Sequence, residues 1–233
     1  VVSMSSESPK VVRPRDAASV VLIRGNADKT EVLMGRRRKR ASFLPNIYVF
    51  PGGRVDPEDH RAPKGVALQR DAEALLNRHV PGASTLSIPL AGLRETHEET
   101  GYLIARDASE HELDGAPDTP YWQALRSAGA LPDLGRMDYI ARALTPTMSH
   151  KRFNTRFFLV DANDARGELI QDGELEDLHW LPLDKAHRLP IVDVTEFVLN
   201  QARDRWQDRH RGRKQTAVPF LHYIRNRQKI DYV

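Results

Sequence analysis

The sequence predicts a mixed α/β domain, and three observations carry that expectation. Short β-branched and aliphatic runs recur along the chain, as in "AASVVLIR" at 17–24, "TEVLM" at 30–34 and "RFNTRFFLVDA" at 152–162. Elsewhere apolar residues return at close to 3.6-residue spacing, the period of a helix with one buried face. Turn signals built from Gly, Pro, Asn and Asp separate the two kinds of segment. Strands and helices so mixed pack in layers around a core.

Taken in order, the runs at 17–24 and 30–34 flank "GNADK", a good hairpin turn, and read as paired strands. "IYVFPGG" runs extended from Ile47 into a Pro-Gly-Gly break. Residues 65–80 carry apolar side chains at 68, 72, 75, 76 and 80, which predicts a helix closed by Pro81-Gly82. The next helix spans about Pro89–Thr100, with proline in its first turn and Gly101 at its end. Residues 107–140 are turn-rich around one helical piece at 120–128. "ARALTPTMS" follows, then the strand at 152–162, then "DLHWLPLDKAH" as a last strand and turn. "IVDVTEFVLNQARDRW" is an amphipathic helix, and in the basic tail beyond it "AVPFLHYI" is expected to pack back onto the domain. With no repeat and no clean linker, residues 1–233 read as one domain. The insertions lie at about 60–88 and 107–140, and a basic C-terminal helix and tail starts from about 193.

Composition narrows the chemistry. There is no cysteine, which excludes disulfides, thiolate nucleophiles and thiolate metal sites. Carboxylate, hydroxyl, imidazole and backbone groups remain. No run approaches the ~18 apolar residues of a membrane span. The start "VVSMSSESPKVVRPRD" lacks the apolar core of a secretory signal, so a cytoplasmic location is the default expectation. The net charge is only +3, but "GRRRKR" at 35–40 and "RDRWQDRHRGRK" at 203–214 are dense in cations. Without a nucleic-acid-binding module beside it, the second run reads as solvated surface, and nucleic acid is not expected as a partner. The first lies near the glycines of "FPGG" and is a candidate for attracting a phosphorylated substrate.

"LRETHEETGY" at 93–102 crowds Glu95, Glu98 and Glu99 onto one helical stretch. Separations of three and four residues share a face, so the carboxylates point toward one volume. Arg94 precedes Glu98 by one helical turn and can hold that carboxylate, while Leu90 and Leu93 anchor the opposite side. Hard divalent cations such as Mg²⁺ take oxygen ligands and commonly sit between carboxylates and substrate phosphates, which would offset the repulsion. A cation bridging this helix to a diphosphate would support hydrolysis without a protein nucleophile. "FPGGRVDPED" at 50–59 supplies the other half: Gly52 and Gly53 allow a tight turn and close approach to an anion, and Asp56, Glu58 and Asp59 bring further carboxylates.

"GGRVDPED" joined to "RETHEETG" resembles the signature of the Nudix hydrolase superfamily. The resemblance covers roughly residues 17–195. It implies an α/β fold, a Nudix-type α/β/α sandwich with a mixed sheet, here elaborated by helical insertions. It also implies a hydrolase that uses Mg²⁺ or Mn²⁺ to cleave a nucleoside diphosphate linked to another moiety. By that likeness Gly53 opens the motif, Arg94 orients, and Glu95, Glu98 and Glu99 form the catalytic and metal-binding set. Asp59 stands where the usual form has Glu and is a further candidate ligand. The spacer 60–93 is far longer than usual and reads as an insertion. "ASFLPNIYVFPGGRVDPED", "SHKRFNTRFFLV" and "HWLPLDKA" resemble the narrower coenzyme A diphosphatase-like subgroup, so coenzyme A or acyl-CoA is the leading substrate. Arg36 fits that subgroup's pattern loosely, and its glycine position is not met. ADP-ribose or a nucleotide sugar is the alternative, and a ligand-binding protein without turnover is a third reading.

Further residues are candidates on position. Lys151, Arg152 and Arg156 could aim cations at a diphosphate or a 3′-phosphate, and His150 reads as a surface histidine. Glu174 or Glu176 could supply another carboxylate, and spacing does not choose between them. Phe153 and Trp180 are expected in the core, while Phe43 and Tyr48 could stack on a base or fill the core. Tyr121 and Trp122 stay open between the wall of a substrate pocket and a homodimer contact.

Overall fold

The computed structural model describes residues 12–26, 29–78, 85–163, 165–171, 173–225 and 227–233. The expected Pro81-Gly82 helix stop and most of the N-terminal segment lie outside them. The described strands are β1 (Arg15–Gly25), β2 (Thr30–Arg37), β3 (Tyr48–Val49), β4 (Gly52–Arg54), β5 (Ala105–Asp107), β6 (Ala130–Pro132), β7 (Met137–Leu144), β8 (Phe153–Asp161), β9 (Leu175–Pro182), β10 (Pro219–Ile224) and β11 (Arg227–Tyr232). The helices are α1 (Arg70–Asn77), α2 (Ser87–Thr100), α3 (Pro120–Ser127) and α4 (Asp193–His210).

Nine strands form one mixed sheet in the order β11-β10-β7-β8-β1-β2-β3, with β4 on one end of β1 and β9 on β2. The strand pairs β1–β8 and β7–β10 are parallel, and the remaining pairs in this sheet are antiparallel. β1 is the axis. Its segment Ala17–Ile23 is buried throughout, as a strand covered on both faces requires. On one face Val20, Leu22 and Phe158 meet Leu75 and Leu76 of α1, Ile88, Leu90 and Leu93 of α2, and Leu125 of α3. On the other, Val21, Ile23 and Leu159 meet Val198, Leu199, Ala202 and Trp206 of α4. The result is the predicted α/β/α sandwich.

Three expectations change. The helix at 65–80 is shorter, because Gly65 turns at φ +95° and Val66 and Leu68 reach the core from non-helical backbone, leaving only Arg70–Asn77 helical before the chain leaves the described residues. Tyr121 and Trp122 are 2% and 4% exposed, so they serve neither a pocket nor a surface contact; α3 uses them to pack against the core. The tail does more than pack back. β10 and β11 extend the sheet beyond β7, with Leu221 in register with Ala143.

Four cations of the basic run at 203–214 face the protein's own carboxylates. Arg205 and Arg209 face Asp138, Arg213 faces Asp208 and Lys214 faces Asp71. No helix among the described residues is long and apolar enough to cross a membrane.

Candidate active site

α2 carries the carboxylates, and the sequence explains its placement. Pro89 sits in the first turn, where its missing N–H is not needed. Gly101 ends the helix at φ +80°, with its N–H bonded to His97 O at 2.8 Å. Gly92 lets the helix lie close on β1, because a Cβ there would press on Val20 and Ala18 at 3.1 and 3.2 Å. Thr96 and Thr100 are fully buried. Their hydroxyls donate to Gly92 O and Thr96 O one turn back, so neither polar group is stranded.

The glycine turn meets this helix from β4. Gly52 adopts φ +153°, and a side chain there would collide with the Ala18 carbonyl and Ser19. Its N–H donates to Glu99 Oε2 at 2.9 Å. Gly53 lies against the carboxyl group of Glu95, which occupies the space a Cβ would need.

Arg94 organises the cluster while buried. Nε donates to Asp59 Oδ1 and Nη2 to Asp59 Oδ2, both at 3.0 Å, and Nη2 also donates to Arg54 O at 3.1 Å. Nη1 donates to Glu95 Oε1 at 2.9 Å and Glu98 Oε2 at 3.1 Å. Burial disfavours its charge, but the hydrogen bonds and charge of Asp59, with Glu95 and Glu98, more than offset this and raise its pKa. Asp59 also accepts from the Asp56 N–H through Oδ2, at 2.8 Å. Both Asp59 oxygens are thus committed to Arg94 and the turn, and Asp59 holds the arginine from behind rather than facing the cleft.

The carboxylates themselves are crowded. Burial pushes Glu99 up to about 8; the Gly52 N–H opposes the rise, and the charges of Glu95 and Glu174 add to it. Burial likewise raises Glu95 to about 7 against the pull of Arg94, and Glu98 shifts upward for the same first cause. Among the described residues, no three Asp, Glu or His side chains stand in ready metal-ligating arrangement. Arg94 Nη1 holds Glu95 and Glu98 aside. The donor set nevertheless fits a hard divalent cation: oxygen ligands only, carboxyl groups whose ionisation burial disfavours and a cation would favour, and a glycine that leaves room for the Glu95 carboxyl group.

These groups sit at one end of a cleft of about 780 Å³. Glu174 lines it and Glu176 does not, because Glu176 turns to Arg36 at 3.4 Å. That pairing also takes Arg36 away from the cleft lining, and the cation that β2 presents to the cleft is its neighbour Arg37, on the opposite side of the strand. Lys151 lines the cleft and donates to Ser42 Oγ at 2.6 Å. Arg152 and Arg156 do not. Arg152 is 7% exposed and donates to Thr145 O and Val12 O, and Arg156 is 2% exposed and paired with Asp16, so both brace the sheet.

Phe153, expected in the core, lines the cleft edge-on to Phe43 at 5.5 Å. Tyr48 is buried and donates to Asp177, while Trp180 is half-buried under Arg24. Sequence reasoning offered the 35–40 run as a whole without singling out Arg37, and it missed Val192–Thr195, Leu221 and Tyr223, which build the far wall. Alternation along the "GRRRKR" strand could have suggested Arg37; no motif marks the others.

Comparison with known proteins agrees with this geometry. No family model matches the chain. A solved NUDIX hydrolase from Alicyclobacillus acidocaldarius is 31% identical, with a TM-score of 0.59 over 81% of this chain and 90% of that one. The chain belongs to the Nudix hydrolase family. It is also similar to nudix hydrolase 7 of Caenorhabditis elegans, 28% identical over 82% of this chain and 62% of that protein. The acyl-coenzyme A diphosphatase NUDT19 of Gallus gallus is 26% identical over 72% of this chain and 60% of its own length. The chain therefore spans about three fifths of the curated relatives it matches.

Proposed function

We propose that this protein is a divalent-cation-dependent hydrolase that cleaves the diphosphate linkage of a nucleoside diphosphate derivative, with coenzyme A or acyl-CoA as the leading substrate. The observation that carries the reading is the convergence of Glu95, Glu98, Glu99 and Glu174 on the Gly52–Gly53 turn at one end of the cleft. The likeness to an acyl-coenzyme A diphosphatase supports the substrate.

In this reading Glu95, Glu98 and Glu99 hold Mg²⁺ or Mn²⁺, and Asp59 is a positioning residue. A cation held there would supply positive charge against the phosphoryl oxygens of the substrate. Arg94 releases Nη1 from Glu95 and Glu98 while Asp59 keeps its Nε and Nη2 in place. Gly52 fixes Glu99 through its backbone N–H, and the missing side chain of Gly53 leaves room for the Glu95 carboxyl group. Glu174, approaching from the segment before β9, takes the proton of the attacking water. Arg37 and Lys151 meet the remaining phosphate charge of the substrate.

The test is phosphorus NMR with Mg²⁺ or Mn²⁺, offering coenzyme A, ADP-ribose and nucleotide sugars in parallel. The reading expects 3′,5′-ADP and a phosphopantetheine product from coenzyme A. It also expects a loss of at least about 10²-fold in turnover for Glu98→Gln and for Glu99→Gln with the fold retained. Turnover of ADP-ribose alone would replace the substrate, and near-normal turnover in both variants would remove the cation site.

A further inference from the structure

The far half of the cleft is built by elements outside the carboxylate motif, and its floor follows the sheet register. Arg54 pairs with Ala17, Ala17 with Thr155, Thr155 with Ala143, Ala143 with Leu221, and Leu221 with Ile230. Residues paired directly across a sheet point to the same face. Strands are spaced at about 4.8 Å, so these five steps reach roughly 24 Å from the glycine turn to the outer strand. The members from Arg54 to Leu221 all line the cleft.

The chemistry of this row changes along its length. Its middle is small and uncharged, which leaves a shallow trough between the strand floor and the first turn of α4. Val194 of that turn and Tyr223, whose hydroxyl donates to Asp193 Oδ2 at 2.7 Å, border it. At its outer end Ile230 is 44% exposed. Tyr232 pairs with Pro219, which does not line the cleft, and so lies off this row. Ile230 is thus an apolar side chain left in water where the cleft-lining row ends.

We infer that this row is the track for a long uncharged arm on the substrate, and that Ile230 seats an apolar group at the arm's end. The inference rests on the function proposed above and narrows its substrate class. The preferred substrate is a nucleoside diphosphate derivative whose other half is an extended amide or alkyl arm with an apolar terminus. A compact polar partner such as a sugar leaves the outer row empty.

Calorimetric titration in EDTA tests this without turnover. The intact protein is titrated with coenzyme A and its hexanoyl and decanoyl thioesters. Affinity is expected to rise along the series, by up to about fourfold for each methylene that is seated. Ile230→Asp, a change at an exposed position, should abolish the gain from hexanoyl to decanoyl. Thr155→Leu, which fills the trough, should weaken every member, with circular dichroism confirming that both variants fold. Equal affinity across the series, or a gain that survives Ile230→Asp, overturns the track even if coenzyme A is hydrolysed. If no member binds and phosphorus NMR shows no cleavage, the substrate reading fails and the track with it.

Discussion

Asp59 and Arg94 face each other in two parallel contacts of 3.0 Å, both side chains about 95% removed from solvent. The pair joins the turn at Pro57–His60 to the helix that carries the glutamates. Removing one member of a buried pair leaves the other charge stranded, at a cost of about 3 kcal/mol or more. Asp59→Ala should therefore lower stability by about that amount in urea unfolding. It should also lower turnover in the surviving folded protein, since Arg94 loses its anchor. A stability change within about 0.5 kcal/mol, the range of an ordinary surface site, would show that the pair does not fix the helix.

Gly53→Ala tests the turn. Its Cβ must displace the Glu95 carboxyl group, while the backbone of Gly53 itself lies outside the left-handed region. A displacement of about 1 Å at a reacting centre costs about 10²-fold in rate. Turnover should fall by about that factor with the thermal midpoint changed by only a few degrees. Wild-type turnover would mean that Glu95 has no part in the chemistry.

The raised carboxylates make a prediction about pH. Glu95 and Glu99 titrate near 7 and 8 when folded, against an ordinary value of 4.5. The folded state holds their protons more tightly, so their contribution to stability is full below about 4.5 and is lost as pH rises through 7 to 8. In EDTA the thermal midpoint should fall across that window, and the double variant Glu95→Gln/Glu99→Gln should flatten the fall. Mg²⁺ added at pH 8 should restore the midpoint, since a ligand of the native state stabilises it. A midpoint equally steep in the double variant would place the titration elsewhere.

Much of this was legible in the sequence. The β1–β2 hairpin, the helix between Pro89 and Gly101 and the strand at 153–161 follow from local period and local caps, so residue order alone predicts them. The carboxylate face of α2 follows from spacing in the same way. What escaped is set by distant pairing. Arg152 and Arg156 look like substrate cations until their acceptors, Val12 and Asp16, are brought up from the other end of the chain. Glu176 and Arg36 likewise remove each other from the cleft across the β2–β9 pair. Leu221 and Tyr223 join the cleft only because β10 adds to β7, a parallel pairing that no local signal encodes.

The most direct test of the central claim is Mn²⁺ binding followed by electron paramagnetic resonance at pH 8, in the intact protein and in Glu98→Gln and Glu99→Gln. The account predicts saturable binding in the intact protein and at least about tenfold weaker binding in each variant, because each removes a charged oxygen ligand. Unchanged Mn²⁺ affinity in both variants, or no saturable binding to the intact protein, would contradict it.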